Sequence, residues 1–215
     1  MKDERIQPFS EILDALFHAE QVPVHLLFRL SDMPLSAETR FFAAWPGVDD
    51  ERRQEIMGHL VDLAEDNFAV DFTPIFKVGL TDPAAAVRIL ALDGIWDATD
   101  VRLISPVLTI MQTDENLEAR AAAARALAHF VLLAEWGQIP RRPLEPVLVA
   151  LLAAYEDEET AVPIRRAALE ALGAASHPRV NAFIEEAYEH DDPAMRLSAI
   201  FAMGNSADPR WLPTI

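Results

Sequence analysis

The segment DPAAAVRILAL at residues 82–92, followed after a short break by VRLISPVLTIMQTD at residues 101–114, decides the reading of the chain. In its first half Val87-Arg88 is followed by Ala91-Leu92 and then Gly94-Ile95, the three-and-four spacing of one buried stripe on an amphipathic helix. Its second half opens with Ser105-Pro106-Val107-Leu108. Proline belongs in a first helical turn, where the N–H it lacks would have had no partner anyway. The segment therefore predicts helix A, a turn and a proline-initiated helix B.

The same slots recur. Ala119-Arg120, Ile164-Arg165 and Met195-Arg196 each precede small and apolar residues at helical spacing: Ala123, Ala126 and Leu127; Ala168, Ala171 and Leu172; Ala199, Ala202 and Met203. Thr73-Pro74-Ile75-Phe76 and Glu145-Pro146-Val147-Leu148 repeat the start of helix B. An arginine stands ahead of helix B at Arg102, Arg142, Arg179 and Arg210, and three of these follow their helix A arginine at one interval (88 to 102, 165 to 179, 196 to 210). Agreement at independent slots marks an internal repeat, each unit burying its apolar face on a neighbour.

The pattern Asp-Pro, then Val-Arg-x-x-Ala-x-x-Ala-Leu-Gly, is carried by Asp82-Pro83 with Val87 onward and by Asp192-Pro193 with Met195 onward. It resembles the HEAT-repeat family, including the HEAT-like repeats of phycobilin lyases. Gly94 departs from it, falling where the family has alanine, and so does the stretch from Thr160 to Pro163, which replaces Asp-Pro. The resemblance implies an all-α, right-handed α-α superhelix of about five helical hairpins. It also implies an inter-repeat ladder of Arg88, Arg120, Arg165 and Arg196, with Asp100 and Asp208 as acceptors. Stacked B helices would line a concave wall. The alternative for the arginines ahead of helix B is an anion-binding ridge of Arg102, Arg142, Arg179 and Arg210.

Along the chain, residues 1–47 read as an irregular helical cap and residues 48–215 as repeats, divided 48–81, 82–113, 114–159, 160–190 and a partial 191–215. In the cap, Ser10 and Ser36 stand where they would cap helices, and Pro23 starts another with Val24, Leu27, Phe28 and Leu30. Phe41, Phe42 and Trp45 follow, until Pro46-Gly47 stops the helix. The third repeat carries a longer helix A through Phe130 to Leu133 and an enlarged turn from Gly137 to Pro143. In the last, helix B barely begins at Pro213, so helix A is expected to expose Phe201 and Met203, either to further repeats beyond Ile215 or to another molecule.

Composition narrows the function. A formal charge of −17 opposes a nucleic-acid partner, whose phosphates demand a basic surface, and argues against the DNA glycosylases built of HEAT-like repeats. Without cysteine there is neither disulfide nor thiolate metal site. The opening MKDER is unlike a secretory signal, and the longest apolar stretch, from Pro146 to Tyr155, is far too short to span a membrane. A cytoplasmic protein is the expectation.

Sites of chemistry are sparse. Glu55, His59, Asp62 and Asp66 share helical spacing, but the repeat places His59 at the inward Ala91 slot, which predicts a part-buried histidine beside a solvated acidic stripe rather than a metal site. Glu186 and His190 read as a surface ion pair. No His-Glu dipeptide, GxSxG or glycine-rich phosphate loop occurs. Of the tryptophans, Trp45, Trp96 and Trp211 read as core, and Trp136, beside the enlarged turn, as a partner anchor.

The expectation is a non-enzymatic scaffold, without metal or cofactor, that binds a protein through its concave face. Binding candidates are Lys77, Thr109, Gln112, Trp136, Glu185 and Tyr188, on a field suited to basic or apolar peptide surfaces. The alternative is a HEAT-like lyase or chaperone acting on a bound small molecule or chromophore.

Overall fold

A computed structural model describes residues 8–214, so the opening MKDER, with Lys2, and the final Ile215 lie outside the described residues. The described residues are helical, with no strand among them. The chain divides after Gly94 into two compact units.

The first unit holds α1 (Phe9–His18), α2 (Val24–Leu27), α3 (Leu35–Ala44), α4 (Asp50–Asp66), α5 (Thr73–Gly79) and α6 (Ala85–Gly94). Its cap has an aromatic centre: Phe41 stacks on Trp45 at 5.2 Å between ring centroids, and Phe17 tilts against Phe41 at 5.6 Å. The expected serine caps are not there. α1 and α3 begin one residue before Ser10 and Ser36, with Pro8 and Pro34 at the capping positions and no side-chain cap. A proline fixes the extended-to-helical change of direction by its φ alone, which leaves the serines inside the first turn. Of the apolar residues around α2, Leu27 and Leu30 are buried while Val24 and Phe28 are half exposed.

Beyond the cap, α4 packs against α6, and α6 also against α5. Ile56, Met57 and Leu60 from α4 and Val87 and Ala91 from α6 are fully buried. An ion pair lies in this seam. Arg53, 3% exposed, donates to Asp82 from Nε at 2.8 Å and from its terminal nitrogen at 3.0 Å. It also donates to Asp50 at 2.7 Å and to the Val48 carbonyl. Asp82 accepts further from Trp45 Nε1 at 3.2 Å and from the Ala84 N–H at 2.9 Å. Burial opposes the Arg53 charge, but the Asp82 and Asp50 carboxylates outweigh it and hold the guanidinium above its ordinary pKa. The Asp-Pro element thus caps α6 and ties it to α4 with one carboxylate.

The second unit holds α7 (Ile104–Thr113), α8 (Leu117–Glu135), α9 (Glu145–Glu156), α10 (Val162–Leu172), α11 (Val180–Tyr188) and α12 (Pro193–Ser206). The repeat 82–113 therefore straddles the division, its helix A being α6 and its helix B α7. Short 3-10 turns at Val101–Leu103, Arg142–Leu144 and Pro209–Trp211 carry the arginine ahead of helix B. The long helix A of the third repeat is α8, and Gly137, at φ +72, takes the left-handed conformation that lets the chain leave it.

Here α10 packs on α8, and α12 packs on both α10 and α11. The expected slots are the core: Ala119, Ala123, Ile164, Ala168, Ala199 and Ala202 have no or almost no exposed surface. Small residues bring the helix axes together. A methyl group added at Gly173 would stand 2.7 Å from the Ala202 Cα, so the α12 backbone lies directly against that glycine. Among the B helices, Tyr155 of α9 donates its hydroxyl to the Phe183 carbonyl of α11 at 3.1 Å, its ring 4.7 Å from the Phe183 ring. Burial, reinforced by Glu186 and opposed by Arg165, pushes that phenol up to about 12.

Candidate functional site

The arginines of the helix A slot meet main-chain carbonyls, and Arg120, Arg165 and Arg196 link consecutive hairpins in this way. Arg120 donates from Nε to the Met111 carbonyl at 2.9 Å, and Arg165 from Nε to the Tyr155 carbonyl at 3.0 Å. Arg196 donates to the His190 and Asp191 carbonyls at 2.7 and 2.8 Å. Arg88 donates to the Asp82 and Pro83 carbonyls at 2.8 and 2.9 Å. In each case a guanidinium meets the last carbonyls of a helix or the turn just after it, where unpaired acceptors and the negative end of the helix dipole favour a cation.

Of the two acids expected as ladder acceptors, Asp208 is engaged within its own turn. Asp208 accepts from the Arg210 N–H and side chain, both at 3.0 Å, and so belongs to the turn ahead of helix B. Asp100 does the same for Arg102, at 3.0 Å to its N–H and 2.8 Å to its Nε. Arg179 pairs with Glu156. Three of the four arginines considered for an anion-binding ridge are therefore neutralised in place. The Glu186–His190 pair does not form: His190 Nδ1 accepts the Asp192 N–H at 3.0 Å instead.

The six binding candidates are all solvent-exposed. Thr109 and Gln112 lie on α7, Glu185 and Tyr188 on α11, and Lys77 on α5. Trp136, 66% exposed, does not sit on a B helix: it is the C-terminal cap of α8, at the mouth of the enlarged turn. On α4 the acidic stripe of Glu51, Glu55 and Asp62 runs beside part-buried His59 and, with Leu90, borders an open groove. No cluster of three or more groups placed to hold a metal ion occurs among the described residues.

A concavity of the second unit lies on the A helices, where the sequence pointed to none. It is a cleft of about 210 Å³ formed by α8, α10 and α12. Arg125, Glu170 and Phe201 make one row of its lining, and His129, Ala174 and Asn205 the next, with Ala128 and Leu132 completing the α8 wall. The rows follow from the repeat, since each member lies at a constant interval after Arg120, Arg165 or Arg196. The positions were therefore countable from the sequence, although nothing in the sequence shows that the slots leave a space between them.

Its polar groups differ in how far they are committed. Ser198 donates to Glu170 at 2.6 Å and accepts from Arg166 Nε at 2.9 Å, and the Asn205 amide donates to the Glu170 carbonyl at 3.2 Å. His129 donates from Nε2 to the Ala98 carbonyl at 3.1 Å. Burial lowers the His129 pKa from 6.5, against the opposing effects of that hydrogen bond and of Asp97. Arg125, exposed at the rim, has no hydrogen-bond or ion-pair partner among the described residues.

Beside the cleft, the outer face of α12 is uncovered. Met203 was expected on it but is buried, at 2% exposure, within the stripe packed on the preceding hairpin. Leu197, Ile200 and Phe201 are 61%, 38% and 56% exposed. Their counterparts one repeat earlier are Arg166, Leu169 and Glu170, and there Leu169 is fully buried with α12 packed over α10. Gly204 is the counterpart of Gly173, yet a methyl group placed on it would meet nothing within 4 Å. No helix of the described residues is long and apolar enough to cross a membrane.

Residues 145–215 match the family model of HEAT repeats, which bears out the resemblance read from the motif over α9 to α12 and the turn beyond. Over 113 residues, 52% of its length, the chain is 28% identical to uncharacterized phycocyanin operon protein Z of Pseudanabaena tenuis. That alignment spans about half, 52%, of the relative.

Proposed function

We propose that the chain is a non-catalytic scaffold that binds another helical protein, with the outer face of α12 as its principal contact. The observation that carries this reading is the contrast between equivalent slots. Leu169 and Gly173 of α10 are covered by the next hairpin, whereas Ile200 and Gly204 of α12 keep the same apolar and small character with nothing on them. Exposed apolar residues that continue a packing surface mark a place where more protein belongs. The B-helix residues Thr109, Gln112, Glu185 and Tyr188 offer a second, polar surface suited to selecting among partners.

The test is a photo-crosslinking amino acid placed singly at Leu197, Phe201, Thr109, Tyr188 and, as a solvated control, Glu158. The scaffold reading expects one protein adduct from the α12 positions, weaker or none from Glu158, and loss of that adduct in a Leu197→Asp, Phe201→Asp variant. Equal labelling at Glu158 would overturn it. A second reading, a lyase or chaperone for a small molecule, is favoured by the cleft alone. A chromophore-binding assay on the purified chain separates the two: a defined turnover with no crosslinked partner sinks the scaffold.

A further inference from the structure

We propose that the cleft between α8, α10 and α12 binds a small carboxylate borne on an apolar body. Its lining divides into groups that have partners and one that has none. Glu170 accepts from Ser198 through one carboxylate oxygen, and His129 donates to the Ala98 carbonyl. Arg125 is the one cationic group on the lining, and it is unpaired in a chain with 35 acidic residues. Acids pair with arginines elsewhere at Arg53, Arg102, Arg179 and Arg210, but not at Arg125. An arginine without a partner at the mouth of an apolar concavity is a site for an external anion, and a carboxylate matches its planar fork with two parallel hydrogen bonds.

The remaining surface fixes what the carboxylate must carry. Ala128, Leu132, Ala174 and the Phe201 ring present apolar walls, so the rest of the ligand is hydrocarbon, aromatic or branched. At about 210 Å³ the space is smaller than a drug-sized pocket, which points to a compact acid with one ring or a short branched chain. The Asn205 side-chain carbonyl is the acceptor left over on the inner row, since its amide nitrogen is engaged with Glu170, and it admits one donor on the ligand. The cleft lies on the A helices, away from the B-helix residues assigned to partner selection, and shares only Phe201 with the exposed face of α12.

The experiment is a titration of the full chain with 3-phenylpropionate, followed by amide NMR at Ala128, His129, Ala174 and Asn205. The neutral 3-phenylpropanol and the cationic 3-phenylpropylamine serve as matched probes. Saturable shifts confined to these residues are expected for the acid below about 10 mM, with the alcohol weaker by about threefold to tenfold and the amine weakest. Arg125→Gln should bring the acid down to the affinity of the alcohol. Ala174→Leu, which adds bulk to the lining, should abolish binding of both while leaving the helical circular dichroism unchanged. No saturable shift, an amine that binds as well as the acid, or an acid indifferent to Arg125→Gln each overturns the proposal.

Discussion

The two units hold successive A helices together by different means. In the first, α4 and α6 are joined through Arg53 and Asp82, a buried ion pair whose remaining lone pairs are taken up by Trp45 and the Ala84 N–H. In the second, α8, α10 and α12 are joined by alanines at the core slots and by one glycine against which a backbone rests. A buried ion pair fixes register through directional bonds, and its attraction only offsets the cost of taking both charges out of water. A small-residue seam fixes distance by the absence of atoms, and its stability comes from dispersion and burial spread over many contacts. The first should therefore fail when one group is removed, the second when one group is added.

Asp82→Ala is the harshest test of that distinction. It leaves the Arg53 guanidinium, at 3% exposure, with only Asp50 and the Val48 carbonyl, and Trp45 Nε1 and the Ala84 N–H without their acceptor. A loss of about 3–5 kcal/mol in urea denaturation is expected, the range for a buried charge deprived of its partner. A loss below about 1 kcal/mol would mean that water reaches Arg53 and that the seam is not a sealed one.

Addition is tested by a pair of substitutions that differ only in surroundings. Gly173→Ala drives a methyl group to 2.7 Å from the Ala202 Cα, and is expected to cost about 1–3 kcal/mol as overpacking. Gly204→Ala meets nothing and removes a flexible residue from inside α12, so it should stabilise by up to about 1 kcal/mol. Opposite signs sharpen the comparison between a covered and an uncovered seam. Equal signs would show that the outer face of α12 is already occupied in solution.

Between these lies the arginine slot. Arg165→Gln removes the bond to the Tyr155 carbonyl and the guanidinium that lies 5.7 Å over the Tyr155 ring, for an expected loss of about 1 kcal/mol in the same assay. The effect should fall on α9 and α10, visible as faster amide exchange at the end of α9, and not on α12.

What the sequence revealed follows from what repetition can encode. Val87, Ile164 and Met195 are buried as the apolar spacing requires, because a stripe at helical period has only one way to leave water. The proline-initiated B helices and the long α8 follow from equally local chemistry. Partner assignments were harder to read. Asp208 was assigned to a neighbouring repeat's arginine, yet Arg210 is two residues away and wins by proximity. Ser10 and Ser36 have the right chemistry for caps, but the prolines before them set the helix start one residue earlier. The cleft was hidden for a different reason. Arg125, Glu170 and Phe201 share a slot but not a chemistry, so no recurring residue type marks them, although their spacing is that of the repeat itself.

His129 provides the smallest effect and the one with a definite sign. Burial lowers its folded-state pKa from 6.5, with the Ala98 hydrogen bond and Asp97 pulling the other way. The unfolded chain therefore binds this proton more readily than the folded one, and stability rises with pH wherever the two states differ in protonation. The contribution of neutral His129 is fully present above pH 6.5, declines as pH falls below that value, and levels off once pH has passed the lowered folded pKa. Denaturation midpoints measured from about pH 5 to 8 should show this component in the wild-type chain and lose it in His129→Gln, which keeps a side-chain donor near the Ala98 carbonyl. If instead the variant retains the same slope, the cleft floor is wetter than its lining implies, and the apolar walls assigned to the ligand would be hydrated in the free protein.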